Sequence, residues 1–200
     1  MSRIAGIVLA AGMSRRLGRP KQLLELDGVP VIRHVVRRAL ESSLDEVIVV
    51  VGARGDDVRD ALGGEPVRFV ANEQYAEGQG TSLAAGVSAL GPDTDAVVIL
   101  LGDQPGIEPA VIDRGVAERK ERGASIVMTE YADGRSHPVL FGNEHFLNLA
   151  ALKGDEGGRS VIRRNASQVV TVRADRDAIP ADIDTEDDWR RLQESWTAGS

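Results

Sequence analysis

Four cations and no acid fall within the run Leu9-Ala10-Ala11-Gly12-Met13-Ser14-Arg15-Arg16-Leu17-Gly18-Arg19-Pro20-Lys21. The run follows an apolar stretch, Ile4 to Leu9, that reads as a buried strand. Small residues at a strand end let backbone N–H groups approach oxygens, and Arg and Lys neutralise charge. Such a loop can wrap a polyphosphate. Amides near Gly12, Met13 and Ser14, together with Arg16 and Lys21, are the groups that would hold a triphosphate. Each charge-assisted contact is about twice as strong as a neutral one. The plain alternative is a solvated basic loop. The spacing matches neither G-x-x-x-x-G-K-[ST] nor G-x-G-x-x-G, so this is neither a P-loop nor a dinucleotide fingerprint.

Two acidic sites complement this loop. Asp103 sits in Gly102-Asp103-Gln104-Pro105, directly after the apolar run Ala96–Leu101. Gly-Asp with a nearby Pro is ordinary turn chemistry. Mg²⁺, however, takes one or two carboxylates plus phosphates and waters, so Asp103 suits a first carboxylate beside a triphosphate. In Asp182-Ile183-Asp184-Thr185 the two acids are two residues apart. In an extended segment they share a face, which is costly unless a cation or solvent answers them. Asp182 to Asp188 holds five acids, so a solvated capping segment is the competing reading.

The elements that must position these groups alternate in type. Strands are expected at Ile4–Leu9, Glu46–Val51, Val67–Ala71, Ala96–Leu101, Ser125–Thr129, Pro138–Phe141 and Gln168–Arg173. Helices are expected from Pro30, which opens the first, as far as Leu40, and over Asp56–Leu62, Thr81–Leu90, Glu108–Arg122, Asn143–Leu152, Gly158–Arg164 and Glu186–Trp196. Thr81 and Thr185 are the expected N-caps of their helices. Asp27-Gly28 and Asp133-Gly134 read as turns, and the last residues as a frayed tail. Alternation of this kind implies an α/β fold: a three-layer α/β/α sandwich around a Rossmann-like, mainly parallel sheet, with residues 1–200 as one domain. In such sheets ligands sit outside the carboxyl ends of the strands, where the Gly12–Lys21 loop and Asp103 both fall. His34 and His145 lie in helical patterns, and Trp189 and Trp196 read as packing residues of the last helix.

Net charge is −7 over 200 residues, with 42% hydrophobic and 28% charged. Residues 1–24 carry +5, so the other 176 carry −12. A local cationic patch on an acidic protein fits a small polyanion and argues against nucleic acid. With no Cys, thiolate metal sites and Cys nucleophiles are excluded. No apolar run approaches the roughly 20 residues that span a bilayer, and no signal peptide is visible, so a cytoplasmic protein without membrane contact is expected.

The loop resembles the signature L-A-[AG]-G-x-S-x-R-[MLF]-G-x-x-K of the MobA-like nucleotidyltransferase family, which includes molybdenum cofactor cytidylyltransferases and guanylyltransferases. Leu9, Ala10, Ala11, Gly12, Ser14, Arg16, Leu17, Gly18 and Lys21 fit it, while Arg15 and Arg19 occupy free positions and read as surface charge. Five further stretches are similar to family motifs in the same order. Gly102-Asp103-Gln104-Pro105 resembles G-D-x-P, whose Asp binds the metal. Asn72, Tyr75, Gly78, Thr81 and Ser82 fit N-x-x-Y-x-x-G-x-x-[TS]-S, a loop implied to hold the base. His137-Pro138 and Gly154-Asp155-Glu156-Gly157-Gly158-Arg159 resemble H-P-[VI]-L-[FL] and G-D-x-G-[AG]-R. The likeness places His137, Pro138, Asp155 and Arg159 on the acceptor side, with Arg159 suited to a phosphate. The ending resembles D-I-D-T-P-[ED]-D with Glu186 in place of Pro, and implies Asp184 as the second magnesium ligand.

The resemblance therefore implies a Mg²⁺-dependent enzyme with Lys21, Arg16 and Asp103 as catalytic residues. Leu9, Ala10, Ala11, Gly12, Ser14, Arg16, Lys21, Asn72, Gly78 and Ser82 would bind the nucleotide. Ala11, at the third signature position, favours CTP over GTP. The implied reaction joins CMP from CTP to molybdenum-bound molybdopterin, and its product serves hydroxylases of the xanthine dehydrogenase type. Other implied readings are a guanylyltransferase of the same cofactor, a sugar-phosphate nucleotidyltransferase, and a non-catalytic nucleotide-binding cofactor chaperone. No covalent nucleophile is evident, and positioning with charge neutralisation suffices for phosphoryl-type transfer.

Overall fold

The computed structural model describes residues 2–14, 16–175 and 180–198. Arg15 and the tail residues 199–200 lie outside the described residues. Nine strands are described: β1 Arg3–Ala10, β2 Glu25–Leu26, β3 Val29–Pro30, β4 Glu46–Val51, β5 Arg68–Ala71, β6 Thr94–Leu101, β7 Ile126–Tyr131, β8 Gly134–Gly142 and β9 Val169–Arg173. The α-helices are α1 Val31–Leu40, α2 Gly55–Ala61, α3 Gln79–Ser88, α4 Pro109–Arg122, α5 Phe146–Ala150, α6 Arg159–Arg164 and α7 Glu186–Ala198.

Seven strands form one sheet in the order β5-β4-β1-β6-β8-β7-β9. Strand β1 pairs in parallel with β4 and β6, β4 with β5, and β7 with β9. Only β8 runs against its neighbours, β6 and β7. The β7–β8 hairpin turns through Ala132-Asp133, and Gly134, with φ 143°, opens β8 opposite Tyr131. Both strands reach this turn, so they run longer than the apolar residues alone suggest. The result is the expected α/β/α sandwich. Alternate residues of each strand serve opposite faces. On one face Val8, Val49 and Val98 pack against Ile32, Val35 and Val36 of α1, Val58 of α2 and Ile112 of α4. On the other, Ile7, Ile48 and Ile99 pack against Leu83 of α3, Leu149 of α5 and Val161 of α6. Helix α1 alone buries Val31, Ile32, Val35, Val36 and Ala39; each buried Val or Ile is worth roughly 1.5–3 kcal/mol.

A third apolar cluster lies off the sheet. Leu17, Leu24, Leu26, Val31, Ile183, Trp189 and Leu192 are buried together, with Trp196 packed against them. It fastens α7 over the chain just after the glycine loop. The β2–β3 hairpin within it turns on Asp27 (φ 51°) and Gly28 (φ 72°), a pair suited to a two-residue turn.

Three local readings need correction. Helix α3 begins at Gln79 after Gly78, so Thr81 lies in its first turn rather than at the cap. The helix also ends at Ser88, before Leu90. The stretch after β8 is a 3₁₀ turn, Asn143–His145, followed by the short α5 rather than one helix to Leu152. Thr185 does cap α7, as a reciprocal box: Asp188 N donates to its hydroxyl at 3.2 Å, and its own N–H donates to Asp188 Oδ2 at 2.9 Å. No helix among the described residues is long and apolar enough to cross a membrane.

Candidate active site

The loop after β1 is held by Ser14. Its backbone is left-handed, at φ 49°. Its carbonyl accepts from Gly18 N at 3.0 Å, and its hydroxyl accepts from Lys21 N at 3.1 Å. The same hydroxyl lies 3.5 Å from Oε1 of buried Gln22. Ser14 therefore shapes the turn that delivers Lys21.

Lys21 then reaches both acids. Its ammonium forms a close ion pair with Asp103 Oδ2 and lies 3.2 Å from Asp184 Oδ1. Burial disfavours this ammonium, but the charge of Asp103 and hydrogen bonds to Asp103 and Asp184 outweigh burial and raise its pKa. Arg16 donates to Asp184 Oδ2 at 2.7 Å. Arg19 makes a two-pronged contact with Glu186, at 3.0 and 2.8 Å. Glu186, the departure from the family ending, thus ties the loop to the start of α7. The open cationic patch expected from residues 1–24 is in fact matched by acids of the 184–186 segment, brought to it by the third cluster.

Two carboxylates that meet at one ammonium form a seat for a cation with oxygen ligands, which suits Mg²⁺ or Mn²⁺. Among the described residues no group of three or more His, Asp or Glu side chains converges as a ligand set. Asp103 and Asp184 could hold a divalent ion and leave its other positions to phosphate and water. Asp182 also borders the cleft, but its Oδ1 accepts from Gln104 Nε2 at 2.7 Å. The Asp182 residue is exposed overall, yet its carboxyl lies against the cleft wall. Desolvation there, then the charge of Asp103, pushes its pKa up.

The opposite wall comes from two loops in backbone contact. Gly78 has φ 127°, and a Cβ there would lie 2.2 Å from the Gly154 carbonyl carbon. Gly80 N donates to Gly154 O at 2.8 Å. Asn72 donates to the hydroxyls of Thr81 and Ser82, both at 2.9 Å, and accepts from Gln74 N at 3.0 Å. Its polar atoms are therefore engaged in building the loop. Further along, His137 Nδ1/Nε2 chemistry is constrained: burial, then the charge of Arg159, pushes its pKa down to about 4.

These walls enclose a cleft of about 740 Å³. Leu9, Ala11, Gly12, Ser14, Arg16 and Lys21 line it, as do Gly78, Ser82, Asp103 and Asp184. So do His137, Asp155 and Arg159. Three expected site residues do not line it. Ala10 packs in the sheet core, Asn72 is buried in its loop, and Pro138 is buried with its carbonyl accepting from Thr129 at 2.8 Å. Gln22, Gln79 and Arg135 line the cleft unforeseen, because no spacing in sequence aims them there.

A mainly parallel sheet with a glycine loop after its first strand and two aspartates converging on that loop's lysine defines the nucleotidyltransferase class. Residues 6–169 match the MobA-like NTP transferase domain, and the chain belongs to that family. It is 33% identical over 170 residues to purine catabolism protein PucB of Bacillus subtilis, covering 80% of each chain. It is 28% identical over 196 residues to nicotine blue oxidoreductase of Paenarthrobacter nicotinovorans, covering 94% of this chain and 96% of that one. The structure of Rv0371c from Mycobacterium tuberculosis H37Rv in complex with manganese superposes with a TM-score of 0.84 at 32% identity, covering 97% of this chain and 100% of that one.

Proposed function

We propose that this nucleotidyltransferase moves CMP from CTP to the phosphate of molybdenum-bound molybdopterin, giving molybdopterin cytosine dinucleotide and pyrophosphate with Mg²⁺. The observation that carries the reading is the Lys21 ammonium held between Asp103 and Asp184 on the cleft floor. An acceptor phosphate oxygen attacks the α-phosphorus in line; that P–O bond forms as the bond to the β-phosphate oxygen breaks. Repulsion between two anions is the main barrier, so charge placement is the main catalytic resource. Asp103 and Asp184 would hold Mg²⁺, which would supply charge neutralisation at the phosphates. Lys21, exchanging its carboxylates for phosphate oxygens, stabilises the α- and β-phosphates, and Arg16 the departing pyrophosphate. Leu9, Ala11, Gly12, Ser14, Gly78 and Ser82 border the nucleotide; His137, Asp155 and Arg159 border the acceptor. Ala11 supports cytidine. The product passes to a hydroxylase of the xanthine dehydrogenase type.

Pyrophosphate release measured with CTP, GTP and ATP, molybdopterin present, tests this. Release with CTP alone is expected; release with GTP alone points to the guanylyl reaction. Tight nucleotide binding without release points to a cofactor chaperone. One relative carries an oxidoreductase name. Redox turnover releases no pyrophosphate, and the loop after β1 lacks the G-x-G-x-x-G spacing of dinucleotide sites. Asp103→Ala should lower turnover by about 10²–10³-fold, in line with loss of a group that places charge at the transition state, with the circular dichroism spectrum unchanged. A near-normal rate in that variant would remove the proposed mechanism.

A further inference from the structure

Gln104 follows Asp103 and is 1% exposed. Its amide nitrogen donates to Asp182 Oδ1 at 2.7 Å and lies 3.4 Å from the Pro180 carbonyl oxygen. Both partners are acceptors, which fixes the orientation of the amide. Among the described residues the amide oxygen is buried with no hydrogen-bond partner. An apolar side chain of similar size would avoid that cost, so the value of the amide lies in what its nitrogen reaches.

It reaches the segment that carries Asp184. Along this segment side chains alternate: Asp182 and Asp184 line the cleft, while Ile183 is fully buried in the third cluster. Three acids thus share the cleft with one lysine, yet among the described residues Lys21 makes its ion pairs with Asp103 and Asp184 only. Asp182 is occupied by Gln104.

We propose that Gln104 is a positioning residue for the cation site. By clipping Asp182 it fixes the 180–184 segment to the Asp103 turn. Asp103 and Asp184 then face one ion, and Asp182 is kept out of its ligand set. This rests on the two-aspartate cation site proposed above. Partners that orient metal ligands typically change metal affinity by roughly 10–100-fold when removed.

The test is Mn²⁺ affinity of the nucleotide-free protein, followed by electron paramagnetic resonance of the free ion, with unfolding midpoints measured in parallel. Gln104→Leu and Asp182→Ala should each weaken Mn²⁺ binding about tenfold. Asp182→Asn keeps a carbonyl acceptor for Gln104 and should stay within about twofold of the unchanged protein, whereas a true ligand would lose as much as in Asp182→Ala. Unaltered affinity in Asp182→Ala, or in a folded Gln104→Leu protein with only a lowered unfolding midpoint, would overturn the inference and leave Gln104 a packing residue. Equal losses in Asp182→Asn and Asp182→Ala would overturn it by making Asp182 a ligand. Asp103→Ala is the separate control: if it leaves Mn²⁺ binding intact, the two-aspartate site itself is wrong.

Discussion

At the level of single residues, His137 shows how environment sets chemistry. Its ring lines the cleft, and burial first, then Arg159, holds its pKa near 4. At neutral pH it is an uncharged imidazole, so against the acceptor phosphate proposed above it would offer a hydrogen bond while Arg159 would offer the charge. The same shift carries a stability consequence. An unfolded histidine titrates near 6.5. Between about pH 6.5 and 4 the unfolded chain binds a proton that the native ring excludes. The unfolded state then binds more protons, and native stability falls as pH falls. Full stability is present above about 6.5. By pH 5.0 this one group should remove about 2 kcal/mol. Urea unfolding at pH 7.5 and 5.0 measures it, and His137→Asn should shrink the difference between the two by that amount. An identical pH dependence in the variant would mean the ring titrates normally.

Among the elements, α3 sets local preference against packing. Gly86 lies inside this helix, where replacing Gly by Ala ordinarily gains roughly 1 kcal/mol. Here a Cβ would stand 2.9 Å from Ile7 Cγ2 and 3.0 Å from Val50 Cγ2. Both neighbours are β-branched residues on central strands, with stiff side chains and no open space to enter. Overpacking of this kind costs about 1–3 kcal/mol. Gly86→Ala should therefore lower the unfolding free energy by about 1 kcal/mol, read from urea midpoints at constant slope. A more stable variant would show that the helix can lift off the sheet. The same helix marks how far sequence reaches. Its existence follows from apolar spacing, because Leu83 and Val87 are four apart. Its start does not: Thr81 is a good cap by type, but its hydroxyl is taken by Asn72 and by the Gln74 and Gly78 carbonyls. Asn72 itself was legible as a motif residue. Only tertiary structure shows that it supports the loop.

Across the whole molecule, the site is assembled from chain segments far apart: the loop at 12–21, the β6 end at 103 and the segment at 182–184. Periodicity reveals strands and helices because it is local, and the carboxyl-edge rule places the first two segments. The third had only its acids and its family ending to mark it. What brings it home is Ile183, Trp189 and Leu192, which bury against Leu17, Leu24, Leu26 and Val31. No period relates residue 17 to residue 189, so this cluster was not readable in advance. It is separate from the two sheet cores, and that separation has a measurable consequence. Trp189 is 7% exposed, and its truncation to Ala should cost about 3–5 kcal/mol. Because its contacts are with the cluster, the loss should be felt there first, as local opening rather than global unfolding. In Trp189→Ala, amide hydrogen exchange should speed up by about two to three orders of magnitude over 16–26 and 180–198, while β1 and β6 stay protected. Mn²⁺ affinity should fall with it, since Asp184 is released from Lys21 and Asp103. Exchange that accelerates equally in β1 would show instead that α7 and the sheet unfold as one unit, with Asp184 held by the fold as a whole rather than by this cluster.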